Sequence, residues 1–150
     1  MKILLITLIN LGVVSLVVTV HYEALLRISL LLPKLRISPR LKVVTGIIGA
    51  FAAHIIEIWI FAIAFYLLIL HGDFGRLVWV NGSTPGSGLL DCFYFSMINY
   101  TSIGYGDIVP MEEIRFLSGL EGLIGLLLIA WSGSYTYLAM GRLWPWQPCA

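Results

Sequence analysis

The chain has 150 residues, 59% of them hydrophobic and 11% charged, with a mean hydropathy of +0.95. That composition belongs in a lipid bilayer and leaves too few polar residues to enclose a soluble catalytic domain. Nine Lys and Arg against eight Asp and Glu give a net charge of +1, without the basic excess that would make nucleic acid a partner.

Crossing the hydrocarbon layer takes roughly 20 apolar residues of helix, and three runs are candidates. The first is Ile3 to Val20, the second Val43 to Leu70, interrupted by His54 and Glu57, and the third Ile114 to Met140, which carries Glu121. Between the first and second lie Arg27, Lys34, Arg36, Arg40 and Lys42, broken by Pro33 and Pro39. Positive charge stays inside, so this loop is expected to be cytoplasmic, with the amino terminus outside and the carboxyl terminus in the cytoplasm of a cell whose inner membrane holds the chain. Reading the first run as a secretory signal would export the basic loop, and no small-x-small cleavage site precedes His21, so the run is expected to stay.

Ala24 to Leu32 is apolar between its charges and predicts a short helix along the inner interface, serving topology and lipid contact. It lacks arginines repeated every third residue within a spanning helix, the pattern a voltage sensor requires. Gly72 to Gly88, rich in glycine and proline, predicts a solvent-exposed connection, and Asn81-Gly82-Ser83 matches the common glycosylation triplet. Cys92 and Cys149 make neither a disulfide framework nor a metal site.

The informative stretch is Leu89 to Pro110. Leu89 to about Asn99 is apolar and aromatic and opens with Asp91, an acid suited to a helix start. It is too short to cross and is expected to dip in and turn back. The glycines of Thr101-Ser102-Ile103-Gly104-Tyr105-Gly106-Asp107 make the next segment non-helical, and non-helical backbone at membrane depth survives only where protein buries it or water lines it. The stretch therefore predicts a pore loop.

These residues resemble the potassium channels, whose filter reads Thr-x-Gly-Tyr-Gly behind a pore helix bearing aromatics such as Phe93, Tyr94 and Phe95. The resemblance is sharp over Asp91 to Pro110, looser over Val43 to Leu143 and absent from the first run, so the chain looks most like a small prokaryotic pore-only channel with an extra leading helix. It implies an all-α membrane fold with outer helix, re-entrant pore helix and filter, and inner helix, assembled as a homotetramer. The filter would be Thr101 to Gly106, with potassium held by the carbonyls of Ser102, Ile103, Gly104 and Tyr105 and by the Ser102 hydroxyl. Carbonyl oxygens replace the water of a cation without trapping it behind a full charge, and glycines 104 and 106 allow the backbone angles this needs. Ile103 and Tyr105 would pack behind the loop.

Ser102 stands where the family has threonine, keeping the hydroxyl and losing the methyl. Phe95 lacks the indole N–H that ties the pore helix to the acid after the filter, leaving Asp107 to Tyr94, to a backbone amide, or to solvent as a carboxylate that concentrates cations. Filter support is therefore assigned to Asp107, Tyr94, Phe95 and Glu121.

In the third run Leu126, Ile129, Ala130, Gly133, Ser134 and Tyr137 share one helical face, which the resemblance makes the cavity lining. Gly125 is a candidate hinge and Gly133 a second, while Ser118, Gly122 and Gly125 equally read as a close-packing stripe. His54 and Glu57, one turn apart, form a proton-sensing pair or static interhelical glue. With Glu121, placed to contact Asn99, Tyr100 or Thr101, they are expected to make one buried network bracing the filter. Trp144 and Trp146 suit an interfacial anchor.

The chain thus divides into a leading helix with its basic linker (1–42), a pore module (43–143) and a short tail (144–150) with no room for a regulatory domain. The expected activity is passive potassium conduction without a cofactor, potassium being the permeant ion. A weakly selective cation channel and a non-conducting partner subunit of a larger channel are the alternatives. An intramembrane enzyme finds no support, because His54-x-x-Glu57 brings no further ligands and no nucleophile has a nearby base.

Overall fold

A computed structural model describes residues 2–71, 74–82 and 86–143. Trp144, Trp146 and the rest of the tail, together with Ser83 of the glycosylation triplet, lie outside the described residues. Three helices are long and apolar enough to cross a membrane: α1 (Lys2–Leu31), α2 (Pro39–Leu70) and α4 (Ile114–Leu143). A short helix, α3 (Leu89–Tyr100), lies between the last two, and strands β1 (Arg76–Trp79) and β2 (Ile108–Met111) flank it in sequence.

The first helix corrects the expected boundary. Instead of a spanning segment ending at Val20 and a separate interfacial helix over Ala24 to Leu32, α1 runs unbroken for 30 residues and tightens into a 3-10 turn only at Leu32–Lys34. Nothing between Val20 and Leu31 breaks a helix, and the first residue that must is Pro33. The continuation carries His21 and Leu25 into the protein interior. α2 starts four residues before the expected Val43, with Pro39 in the first turn and the Ser38 hydroxyl accepting from the Leu41 N–H at 3.4 Å.

Small residues set how α1 lies on α2. A β-carbon at Gly49 would stand 2.9 Å from Ile28 Cδ1, and one at Gly46 would stand 3.1 Å from Leu32 Cδ1. Glycine lets the helices approach this closely, which is how apolar helices associate where lipid offers no hydrophobic contrast. Phe61, Ala62 and Phe65 of α2 then form the core with Cys92, Phe95 and Ile98 of α3 and Leu117 and Leu128 of α4. Phe65 meets Phe95 edge to face with centroids 5.2 Å apart, and Trp59 stacks on Phe93 at 4.3 Å.

Twelve residues give α3 a length of about 18 Å, half a hydrocarbon layer. Its start is closed by the Asp91 carboxylate, which accepts the Gly88 N–H at 3.2 Å. β1 and β2 pair antiparallel from Arg76 opposite Met111 to Trp79 opposite Ile108. The connection expected to be solvent-exposed therefore contains a strand whose Leu77 is buried. Four residues per strand, with Pro110 in one of them, leave almost no alternation to read in the sequence. The ribbon joins the segment after α2 to the exit of the loop that succeeds α3.

Candidate functional site

The loop after α3 is moored by its own helix. The Ser102 N–H donates to the Asn99 carbonyl at 2.9 Å, and the N–H groups of Ile103 and Gly104 both donate to the Ile98 carbonyl at 3.0 and 3.1 Å. The Thr101 hydroxyl turns back to the Met97 carbonyl at 2.9 Å. Helix-terminal carbonyls that would otherwise be orphans are satisfied by the very segment they position. Beyond Thr101, φ is positive at Ser102 (57°), Gly104 (52°) and Gly106 (75°), but not at Ile103 or Tyr105.

Alternating φ sign in this way departs from a regular strand, in which φ stays negative at every residue. Glycine meets the demand at 104 and 106 without strain, and Ser102 meets it with an unbranched Cβ, where a β-branched side chain would be strained. The Ser102 hydroxyl lies 3.5 Å from the Gly122 carbonyl of α4. Residues 102–106 are exposed in the single chain, Ile103 at 57% and Tyr105 at 69%.

At the loop's exit the Tyr94 hydroxyl donates to Asp107 Oδ2 at 2.6 Å, and the Ile108 N–H donates to Asp107 Oδ1 at 3.0 Å. Both protein partners expected for Asp107 are present. Tyr94 stacks on Trp79 of β1 with centroids 5.8 Å apart, and the Val80 N–H donates to the Asp107 carbonyl at 2.9 Å, so the ribbon holds the acid from behind. Phe95 is buried against Phe65 and fixes α3 to α2. The hydrogen bond to Asp107, reinforced by burial and the carboxylate charge, holds the Tyr94 phenol above its ordinary pKa. Asp107→Asn is therefore expected to lower the Tyr94 pKa toward the ordinary value, read by NMR of ring-labelled tyrosine; an unmoved titration would show that the bond is not formed.

Glu121, fully buried, receives hydrogen bonds from the Ser96 hydroxyl and from Asn99 Nδ2 at 2.6 Å. Asn99 also donates to the Ser118 carbonyl at 2.8 Å and accepts from the Ser118 hydroxyl at 3.2 Å. The end of α3 thus lies along the Ser118, Gly122 and Gly125 stripe of α4. Gly125 is filled from outside: a β-carbon there would stand 2.0 Å from the Tyr100 carbonyl oxygen. Gly133 has nothing within 4 Å of that position. Leu126, Ile129, Ala130, Gly133 and Ser134 are all exposed, as is Tyr137 further along, so the face expected to line a cavity is uncovered in the single chain.

His54 and Glu57 meet, with Nδ1 3.1 Å from Oε2. The expected single network divides in two, however, because Glu57 and Glu121 hold different residues of α3. Glu57 receives the Tyr100 hydroxyl and lies 2.8 Å from His21 Nδ1 of α1. His54 is within 2.8 Å of the Tyr100 hydroxyl, and its Nε2 is 3.1 Å from the Ser132 hydroxyl of α4. His21 and Ser132 are not among the residues expected here from sequence. His21 sits just past the first apolar run, and only the continuation of α1 as a helix turns it inward. Ser96 carries no mark in the sequence beyond being one polar residue on an apolar helix.

A family model described as ion channel matches residues 53–140. The chain is 35% identical over 72 residues to the voltage-gated potassium channel Kch of Escherichia coli (strain K12), a match covering 47% of this chain and 17% of that protein. The similarity thus spans less than a fifth of that relative's length. No solved structure matches.

Proposed function

Since this chain belongs to a family of ion channels, we propose that it is a potassium-channel pore module, four copies of which surround one pore and let potassium pass down its electrochemical gradient. The observation that carries this reading is the alternation of φ at residues 102, 104 and 106 in a loop moored to the Ile98 and Asn99 carbonyls. One such strip offers a ladder of oxygens along one side only, and a dehydrated cation needs oxygens all round. Symmetry supplies the rest. The strip and the Leu126 to Tyr137 face of α4 are both uncovered in one chain, and closing four copies around an axis would cover the strip's flanks and leave the α4 face as the cavity wall.

The carbonyls of Ser102, Ile103, Gly104 and Tyr105 substitute for water around the ion, and the Ser102 hydroxyl meets it at the inner end. The carboxyl end of α3, the negative end of its dipole, favours a cation at the mouth of the filter. Ile103 and Tyr105 pack against neighbouring subunits and hold the diameter. Asp107 with Tyr94, and Glu121 with Asn99, fix the loop at its two ends. Five cations, Arg27, Lys34, Arg36, Arg40 and Lys42, gather around the turn from α1 to α2; positive charge favours the cytoplasmic side, and with the turn there the Asp107 side of the filter faces outside.

Purified protein in liposomes, with no other protein present, tests this directly. Potassium flux blocked by a quaternary ammonium ion is expected, and the reversal potential in mixed sodium and potassium should track the potassium gradient. A reversal potential indifferent to which cation is present would make it the weakly selective channel that Ser102 leaves open. Absence of any flux from a folded tetramer would make it a non-conducting subunit.

A further inference from the structure

The leading helix, for which the pore reading has no use, delivers a second imidazole to a buried carboxylate. His21 of α1 and His54 and Glu57 of α2 place ligand atoms within 4.8 Å of one another. His21 Nδ1 stands 2.8 Å from Glu57 Oε1 and His54 Nδ1 stands 3.1 Å from Glu57 Oε2, so both Nδ1 atoms converge on one carboxylate. Both Nε2 atoms converge on the Ser132 hydroxyl, at 3.4 Å from His21 and 3.1 Å from His54. His21 and Glu57 are fully buried, and Trp131 covers His21 with ring centroids 5.3 Å apart.

We propose that His21, His54 and Glu57 bind a divalent transition metal of the zinc type, which pins the leading helix to the pore module. The donor set selects the ion. Two neutral imidazole nitrogens and a carboxylate oxygen suit zinc and its neighbours, not the hard cations that prefer oxygen alone, and not potassium. The size fits as well. Bonds of about 2.0–2.1 Å in tetrahedral array separate ligand atoms by about 3.3 Å; the two Nδ1 atoms lie 2.8 and 3.1 Å from the two oxygens of one carboxylate, and all the ligand atoms lie within 4.8 Å of one another, so small side-chain shifts bring them to that spacing. The Tyr100 hydroxyl, 2.8 Å from His54 Nδ1 and bonded to Glu57, would supply an oxygen as the fourth ligand.

The surroundings point the same way. A metal-bound histidine is normally oriented by a partner on its other ring nitrogen, and Ser132 is placed to serve both rings at once. A carboxylate buried between apolar helices gains a compensating charge when the ion binds. The two donor helices meet at this level through the His21–Glu57 hydrogen bond, and the ion would replace that single contact by a cross-link directly behind Tyr100, the last residue before the filter loop.

The test uses the full chain purified in detergent, stripped with a chelator and titrated with Zn2+, with Co2+ as the spectroscopic probe. One Zn2+ per chain is expected, with the visible absorption of four-coordinate Co2+ and an unfolding temperature that rises with free zinc. His21→Asn and Glu57→Gln, which keep hydrogen-bonding groups in place, should each weaken binding by at least about tenfold. His71→Asn, which removes the remaining histidine, exposed at the end of α2, should leave it unchanged. No saturable zinc binding to the unmutated chain, binding that survives His21→Asn, or binding lost in His71→Asn would overturn the proposal. Binding is read without ion flux, so a failure here leaves the pore reading standing, and a failure of conduction leaves this site standing.

Discussion

Replacing Gly125 by alanine is expected to cost about 3 kcal/mol or more of stability and to abolish conduction. The added carbon would stand 2.0 Å from the Tyr100 carbonyl oxygen and 2.9 Å from its carbonyl carbon. Neither is the free end of a flexible side chain. Tyr100 is held by Glu57 through its hydroxyl, and the next residue opens the filter loop. Relief must therefore come from sliding α3 away from α4, which pulls on the Ile98 and Asn99 carbonyls that anchor Ser102, Ile103 and Gly104.

Gly133→Ala provides the control. It meets open space, and alanine is favoured over glycine in a helix by roughly 0.5–1 kcal/mol, so stability should hold or rise. Thermal unfolding and the size of the assembly recovered from detergent measure both variants. If Gly133→Ala folds normally yet changes channel opening, the bend of α4 lies at Gly133. If Gly125→Ala assembles with an unchanged unfolding temperature, the close packing described at Tyr100 is wrong.

The second large effect is expected at Glu121. Glu121→Ala leaves one Asn99 N–H without an acceptor in an apolar interior and opens a cavity between α3 and α4, a loss of about 2–4 kcal/mol. Ser96 suffers less, because its hydroxyl also reaches the Ile58 carbonyl at 2.9 Å. With the base of α3 loosened, ion selectivity should fall along with stability. Glu121→Gln keeps hydrogen-bonding groups in place while removing the carboxyl. Its amide oxygen can still accept from Asn99 and its amide nitrogen can donate to Ser96, so near-normal unfolding and reversal potential are expected. Equal damage from both substitutions would mean that the carboxyl group itself is required; normal selectivity and opening in Glu121→Ala would remove Glu121 from the filter's support.

Much of the site is legible in the chain alone. The half-length α3 announces itself by an apolar stretch too short to cross, and the loop by glycines 104 and 106, whose positive φ values match what that residue type permits. Asp107 can be assigned to Tyr94 or a backbone amide because few donors lie near it in the chain, and it takes both. Glu121 can be placed at the level of Asn99, Tyr100 and Thr101 by counting helical turns, and of the three it takes Asn99. The ribbon of β1 and β2 does not show, because strands of four residues carry too short a pattern. Nor does the inward turn of His21, because the apolar run stops at Val20 while the helix continues to Leu31.

The sequence by itself determined that this chain lies in a membrane, that three of its segments are long and apolar enough to span it and which loop would face an ion. These follow from hydropathy and from glycine's conformational freedom, which are properties of neighbouring residues. Only the tertiary structure decided that Glu57 and Glu121 serve separate networks, that Gly125 is filled by the Tyr100 carbonyl, and that His21 of α1 joins His54 and Glu57 of α2. The reason is that a buried polar side chain must find a partner, but the sequence names the need and not the partner; which group answers it depends on the rotation of each helix and the depth at which it packs.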